Sequence, residues 1–235
     1  MKFIYRFGGG RADGNADMKN VLGGKGANLA EMATIGLPVP PGFTITSELC
    51  IAYLKKGRYP KGYSDEVDKG IMHIEELTGR KLGDTSNPLL VSVRSGARIS
   101  MPGMMDTILN LGITDKTVDG LIRQTNDERF AYDSYRRFIM MFSNVVQGIP
   151  RVLFEKPLRE VKERERARFD YQVSVEGLKE LIKIYKKIYL EKIGEHFPNT
   201  PKKQLKMAID AVFKSWNNER AIAVSYTHLT LPTKA

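Results

Sequence analysis

A single cysteine, Cys50, in 235 residues excludes an internal disulfide framework and points to a reducing compartment. No stretch approaches the roughly 18 uninterrupted apolar residues that a membrane-spanning helix needs. The opening residues hold only a three-residue apolar run, Phe3 to Tyr5, before Arg6, far short of a secretory signal's apolar segment. These shortages lead us to expect a cytoplasmic chain with no membrane partner. Histidine is scarce too: His73 and His196 have no second ligand at metal-binding spacing, so no metal site is expected. No Ser/His/Asp set and no carboxylate pair emerges, so the sequence offers binding groups without a catalytic residue. Cys50 itself follows a Thr-Ser-Glu-Leu helix start and reads as a small buried side chain.

What is abundant is positive charge, a net +10. Residues 151–206 hold 15 Lys and Arg against 9 Asp and Glu. Acids nevertheless interleave throughout, as in Lys162-Glu163-Arg164-Glu165-Arg166, which is the pattern of a solvated helix face. A nucleic-acid partner is therefore not expected, although a basic helical interaction or nucleic-acid-binding module stands as the competing reading of this stretch.

Along the chain, residues 2–7 alternate as a short strand, and Gly8-Gly9-Gly10 breaks it into a loop expected to continue to Gly23-Gly24-Lys25-Gly26. A helix should run from Ala27 to Ile35 with Leu29, Met32 and Ala33 on one face and Gly36 as its C-terminal cap. Pro38, Pro40 and Pro41 lead into a strand over 42–46. Strand, glycine loop, helix, strand is α/β grammar. An amphipathic helix is expected over 64–78, a buried strand over 89–93, an irregular segment around Met101-Pro102-Gly103, and a second apolar run over 108–111 closing at Gly112.

Beyond Gly112 only helices are expected. Ala131, Tyr135, Phe138, Phe142 and Val145 recur at helical spacing, as do Leu178, Leu181, Ile182, Tyr185, Ile188 and Tyr189, and a further helix covers about 203–216. The aromatic and Met stripes are read as core.

Two clusters could hold an anion. Glycines at 23, 24 and 26 let backbone N–H groups approach a phosphate, Lys25 adds a point charge, and the following helix adds its dipole. The spacing is not that of a Walker loop, and an ordinary loop with an exposed lysine remains the other reading. Arg94 and Arg98 follow a strand, where guanidinium forks suit phosphate oxygens. For Arg94 the alternative is a carboxylate partner in the same sheet, and for Arg98 a solvated loop position.

The stretches NVLGGKGANLAEM (20–32), PVPPGFTIT (38–46), LLVSVRSGARISMPGMMDTILNLG (89–112) and RFAYDSYRRFIMMF (129–142) resemble the N-terminal region of the pyruvate, phosphate dikinase family. The resemblance runs from about residue 2 to Ala223. The glycine-lysine and PPGF motifs are shared with water dikinases, whose ATP domain is the nearest alternative, whereas SGARISMPGMMDT is specific. The resemblance implies an incomplete α/β (α+β) ATP-grasp-type nucleotide-binding domain with an inserted all-helical subdomain. It puts the ATP-site lysine at Lys25 and the ATP-site arginine at Arg94; Gly23, Gly24, Arg98 and Gly103 stand beside them as secondary candidates for ATP contact. It also implies conversion of ATP, phosphate and pyruvate to AMP, pyrophosphate and phosphoenolpyruvate through a phosphohistidine on a separate swivelling domain, with Mg²⁺ and a homo-oligomeric parent. The metal ligands, the carrier histidine and the pyruvate-binding barrel are expected outside this chain, so no catalytic residue is assigned within it. The chain departs from the family at Glu219, where Pro is usual.

The organisation expected is therefore an α/β subdomain over 1–112, a helical insertion over 113–200, and a helix returning over 201–223. Residues 224–235 continue no periodicity, resemble translated adapter sequence and are expected to be non-native, so His228 carries no functional weight. Deleting 224–235 should change unfolding free energy by less than about 0.5 kcal/mol in a urea titration. A fall in melting temperature of several degrees would contradict this.

Overall fold

Three glycines in a row end the first strand. The computed structural model describes residues 2–95 and 107–216, and in it β1 (Ile4–Gly8) gives way at Gly8, Gly9 and Gly10, all at positive φ (123°, 60° and 75°). A side chain at Gly8 would sit 2.7 Å from the Pro41 backbone. The turn lets β2 (Arg11–Ala12) fold back antiparallel on β1, with Phe7 opposite Ala12. α1 (Lys19–Thr34) leads to β3 (Gly42–Ile45), which pairs antiparallel with the other edge of β1, Ile4 opposite Ile45. The sheet order is β2-β1-β3. Because the strands flanking α1 are antiparallel, this unit is not the parallel crossover that α/β grammar implies, and the α+β form of the expected class describes it.

Helix ends follow the sequence closely. At the end of α1 the Leu37 N–H donates to Met32 O (2.9 Å) and Gly36 N–H to Ala33 O (3.3 Å), a Schellman closure around Gly36 at φ 83°. Thr46 caps α2 (Ser47–Lys56), its hydroxyl accepting from Leu49 N–H at 3.3 Å. α3 (Tyr63–Thr78) ends at Gly79, φ 67°, and lies against β3 so closely that a Cβ on Gly70 would meet the Phe43 ring at 2.6 Å. His73 on α3 bonds the Phe7 carbonyl (3.2 Å), a structural role.

The described residues divide into two compact units. One contains 2–79, 94–95 and 212–216, and the other 80–93 and 107–211. The expected boundary at 112 thus differs from this division: residues 80–93 and 107–112 belong with the helices.

β4 (Val91–Arg94), which belongs to the second unit up to Val93, pairs with β5 (Thr107–Leu111), followed by α4 (Val118–Thr125), α5 (Glu128–Gln147), α6 (Val152–Glu165), α7 (Val175–Ile193) and α8 (Pro201–Ser215), of which residues 201–211 belong to that unit. The strand expected to be buried instead alternates between half-buried and exposed along β4, since a two-stranded sheet has a covered face and a free one. α5 and α7 present the stripes read from the sequence, and Tyr135, Phe138, Phe142, Leu178, Leu181 and Tyr185 are buried, while Val145 and Ile188 are only half-buried. Phe197 meets Phe138, Phe142 and Tyr189 edge-on at 5.2–5.9 Å. Each such ring contributes roughly 2–3 kcal/mol by burial, an upper figure. Buried Gln204 accepts from Gly112 N–H (3.0 Å) and donates to Ile113 O and Pro198 O, fastening the start of α8 to the end of β5.

Within this apolar stack lies Arg136, only 1% exposed. Its guanidinium donates to Asp133 Oδ1 through Nε (3.0 Å) and Nη2 (2.5 Å), with Asp170 at 3.5 Å. Burial disfavours its charge, but Asp133 and Tyr185 outweigh that and hold the guanidinium protonated. Burial likewise raises Asp170, but the Lys162 bond, Arg136 and Arg137 overcome it and leave the carboxyl below its ordinary value. Asp133→Ala should cost about 3 kcal/mol in urea unfolding, because it strips a buried charge of its main partner. Arg136→Met should cost less than half of that, since Asp133 keeps Arg137 at 2.9 Å. Equal costs would contradict the argument. Asp170's depressed value gives stability that is present above the ordinary carboxylate range and is lost as pH falls through the lower folded value, so Asp170→Asn should flatten the loss of stability that begins near about pH 4.

Candidate functional site

The glycine-lysine segment is not the continuous loop expected from its composition. Residues 19–22 already form a helical turn, and the chain breaks at one residue, Gly23, at φ 68° and ψ 173°. That conformation belongs almost wholly to glycine. Gly23 therefore stands where an N-cap stands, and Gly24, Lys25 and Gly26 open a second helical segment. The dipole of that segment is positive at the same end.

Packing dictates which side chains follow. A Cβ on Gly26 would lie 2.7 Å from both Cγ2 and Oγ1 of Thr44 on β3. The buried residues of α1 are accordingly Leu22, Gly23, Gly26, Ala27, Ala30 and Ala33. The expected face was wrong in part: Ala33 is buried, but Leu29 is only half-buried and Met32 is 39% exposed, because the helix sits too close to the sheet for long side chains on the covered face. Lys25, between two glycines, is left exposed.

Its ammonium does not float free. Lys25 Nζ donates to the Ser95 carbonyl at 3.3 Å, 70 residues along the chain and within the same compact unit. Ser95 follows Arg94, the last residue of β4, so the lysine lies one peptide unit from the arginine that the sequence paired with it. Arg94 is exposed, and among the described residues it has no carboxylate partner in its sheet. Ser95 is 2% exposed, and its Oγ accepts from the indole Nε1–H of Trp216 at 3.2 Å. Neither Ser95 nor Trp216 was singled out from the sequence; the one available signal was the position of Ser95 beside Arg94. Arg98 and Gly103 lie outside the described residues.

Other candidates fall away. Cys50 is buried in the core of α2, and burial pushes its thiol up to about 12, leaving it unreactive. The shallow cleft lined by Lys2, Ile4, Arg6, Glu66 and Lys69 includes neither Lys25 nor Arg94. Three of its four charged residues are engaged elsewhere: Glu66 accepts from Phe3 and Ile4 N–H (2.8 and 3.0 Å), and Lys2 and Arg6 pair with Asp13, both at 3.2 Å. The basic helices are laced by Arg151–Glu155 (3.0 Å), Lys187–Glu191 (3.8 Å) and Arg164–Glu180 (2.6 Å), as a solvated face is. Among the described residues no group of three metal-ligating side chains converges, and no helix is long and apolar enough to cross a membrane.

With this geometry in hand, comparison with known proteins is specific. The family model described as pyruvate phosphate dikinase, AMP/ATP-binding domain, matches residues 19–61 and 59–228. A chloroplastic pyruvate, phosphate dikinase of Flaveria pringlei is 53% identical over 221 residues, 94% of this chain and 23% of the relative. A chloroplastic pyruvate, phosphate dikinase 1 of Arabidopsis thaliana is 55% identical over the same shares. The pyruvate, phosphate dikinase of Clostridium symbiosum is 52% identical over 223 residues, 94% of this chain and 25% of that protein. The chain thus spans about a quarter of the length of the curated relatives it matches.

Gly23→Ala should lower the unfolding free energy by about 1–3 kcal/mol, the strain of a side chain at this φ and ψ. Gly26→Ala should cost a similar amount by overpacking against Thr44. Both are read from urea midpoints, and an unchanged midpoint for Gly23→Ala would mean the break is not held.

Proposed function

The chain belongs to the family of pyruvate phosphate dikinase AMP/ATP-binding domains, and we propose that within it Lys25 and Arg94 bind the phosphates of ATP. The observation that carries the reading is the 3.3 Å contact from Lys25 Nζ to the carbonyl of the residue after Arg94. The contact sets Lys25, in the first turn of a helical segment, against the residue that follows Arg94, and a polyphosphate is the anion suited to two such cations near a helix start. The two cations would act differently. The guanidinium of Arg94 offers a planar fork for two phosphate oxygens, while Lys25 offers a compact charge that can follow one oxygen. Gly23 and Gly24 contribute backbone donors, and Arg98 and Gly103 would complete the cradle.

The same reading gives the chain an ATP-grasp architecture in which residues 113–200 are a helical insertion. The whole protein would convert ATP, phosphate and pyruvate to AMP, pyrophosphate and phosphoenolpyruvate, passing phosphate through a histidine on a swivelling domain. Mg²⁺, held by carboxylates outside this chain, would offset charge on the transferred group. A homo-oligomeric, cytoplasmic parent fits this proposal. The interleaved ion pairs on α6 and α7 weigh against a nucleic-acid-binding face.

Calorimetric titration of ATP into the chain tests the proposal. Lys25→Met and Arg94→Met should each weaken ATP binding by about 10-fold or more, the loss of one charge-assisted contact. Adenosine, lacking phosphates, should bind all three proteins alike. ATP affinity unchanged in both variants would remove the phosphate assignment.

A further inference from the structure

We propose that Ser95 is the positioning residue of Lys25, held in place by Trp216. The inference rests on reading Lys25 as a phosphate ligand, but its core is a relay of two hydrogen bonds across three chain segments: Trp216 Nε1 to Ser95 Oγ at 3.2 Å, and Lys25 Nζ to Ser95 O at 3.3 Å. A lysine side chain has four carbons of freedom, and an exposed one samples many rotamers. Parking its ammonium on a fixed carbonyl removes most of that freedom before an anion arrives. One of the three ammonium donors is used, and two remain for phosphate oxygens.

The carbonyl is a good anchor only if Ser95 cannot rotate. Its burial and the indole bond supply that constraint, and an indole N–H can only donate, so the Ser95 hydroxyl must accept from it. Trp216 is also the single tryptophan of the chain, so one indole resonance reports on the relay.

The test uses the ¹⁵N-labelled 235-residue chain. Without ligand, Lys25→Met should displace the indole N–H resonance, while Lys19→Met should not. Ser95→Ala should move the same resonance and weaken ATP binding by about 3–10-fold, the effect of one lost hydrogen bond. Ser95→Thr, which keeps the hydroxyl, should restore most of both. Trp216→Phe should weaken ATP binding to the same degree as Ser95→Ala. In a Lys25→Met background, Ser95→Ala should have no further effect on ATP affinity, whereas a purely structural serine would weaken binding in both backgrounds.

An indole resonance indifferent to Lys25→Met, or additive effects of the two substitutions, overturns the proposal. If the wild-type chain binds no ATP by calorimetry, the phosphate reading fails; the relay then stands or falls on the ligand-free resonance alone.

Discussion

The approach of α1 to β3 leaves no room for a side chain at residue 26, and the position of Lys25 depends on that constraint. Gly26 lies where a Cβ would be 2.7 Å from Thr44, so the helix rides on the sheet through Gly26, Ala27, Ala30 and Ala33. A helix seated so low turns its neighbouring position outward, which is where Lys25 sits. The break at Gly23 then determines that Lys25 falls in the first turn of a helical segment, where the helix dipole favours an anion. A larger residue at 26 or a restricted one at 23 would move the ammonium away from the Ser95 carbonyl.

The two compact units solve the problem of burial differently. The first uses small residues and glycine turns to bring backbone near backbone. The second relies on aromatic stripes of α5 and α7, and it tolerates one fully buried cation, Arg136, because Asp133 and Asp170 are arranged around it. A backbone-rich unit suits phosphate recognition, since fixed N–H groups and short side chains allow close approach.

Much of the fold was legible because its punctuation is local. Gly36, Gly79 and Gly112 end elements through φ values that glycine adopts readily, and the stripes on α5 and α7 obey the helical period. Lys25 and Arg94 were legible as candidates through their residue types and motif context. Features that depend on distant partners were not. The sequence placed Leu29 and Met32 on the covered face of α1, because it could not show how close Thr44 would come. It gave no reason to bury Arg136 among aromatics, since Asp170 is 34 residues away. Ser95 and Trp216 escaped notice because their roles arise from contacts spanning 70 and 121 residues.

The central claim is that Lys25 meets the phosphates of ATP, and lysine footprinting addresses it residue by residue. The chain is treated with an amine-acylating reagent with and without ATP, and modification of each lysine is followed by peptide mass spectrometry. The account predicts that ATP slows modification of Lys25 by about 10-fold, matching the contact energy expected of a charged hydrogen bond, while Lys19, Lys55 and Lys69 react at unchanged rates. Modification of Lys25 at the same rate with and without saturating ATP would contradict it.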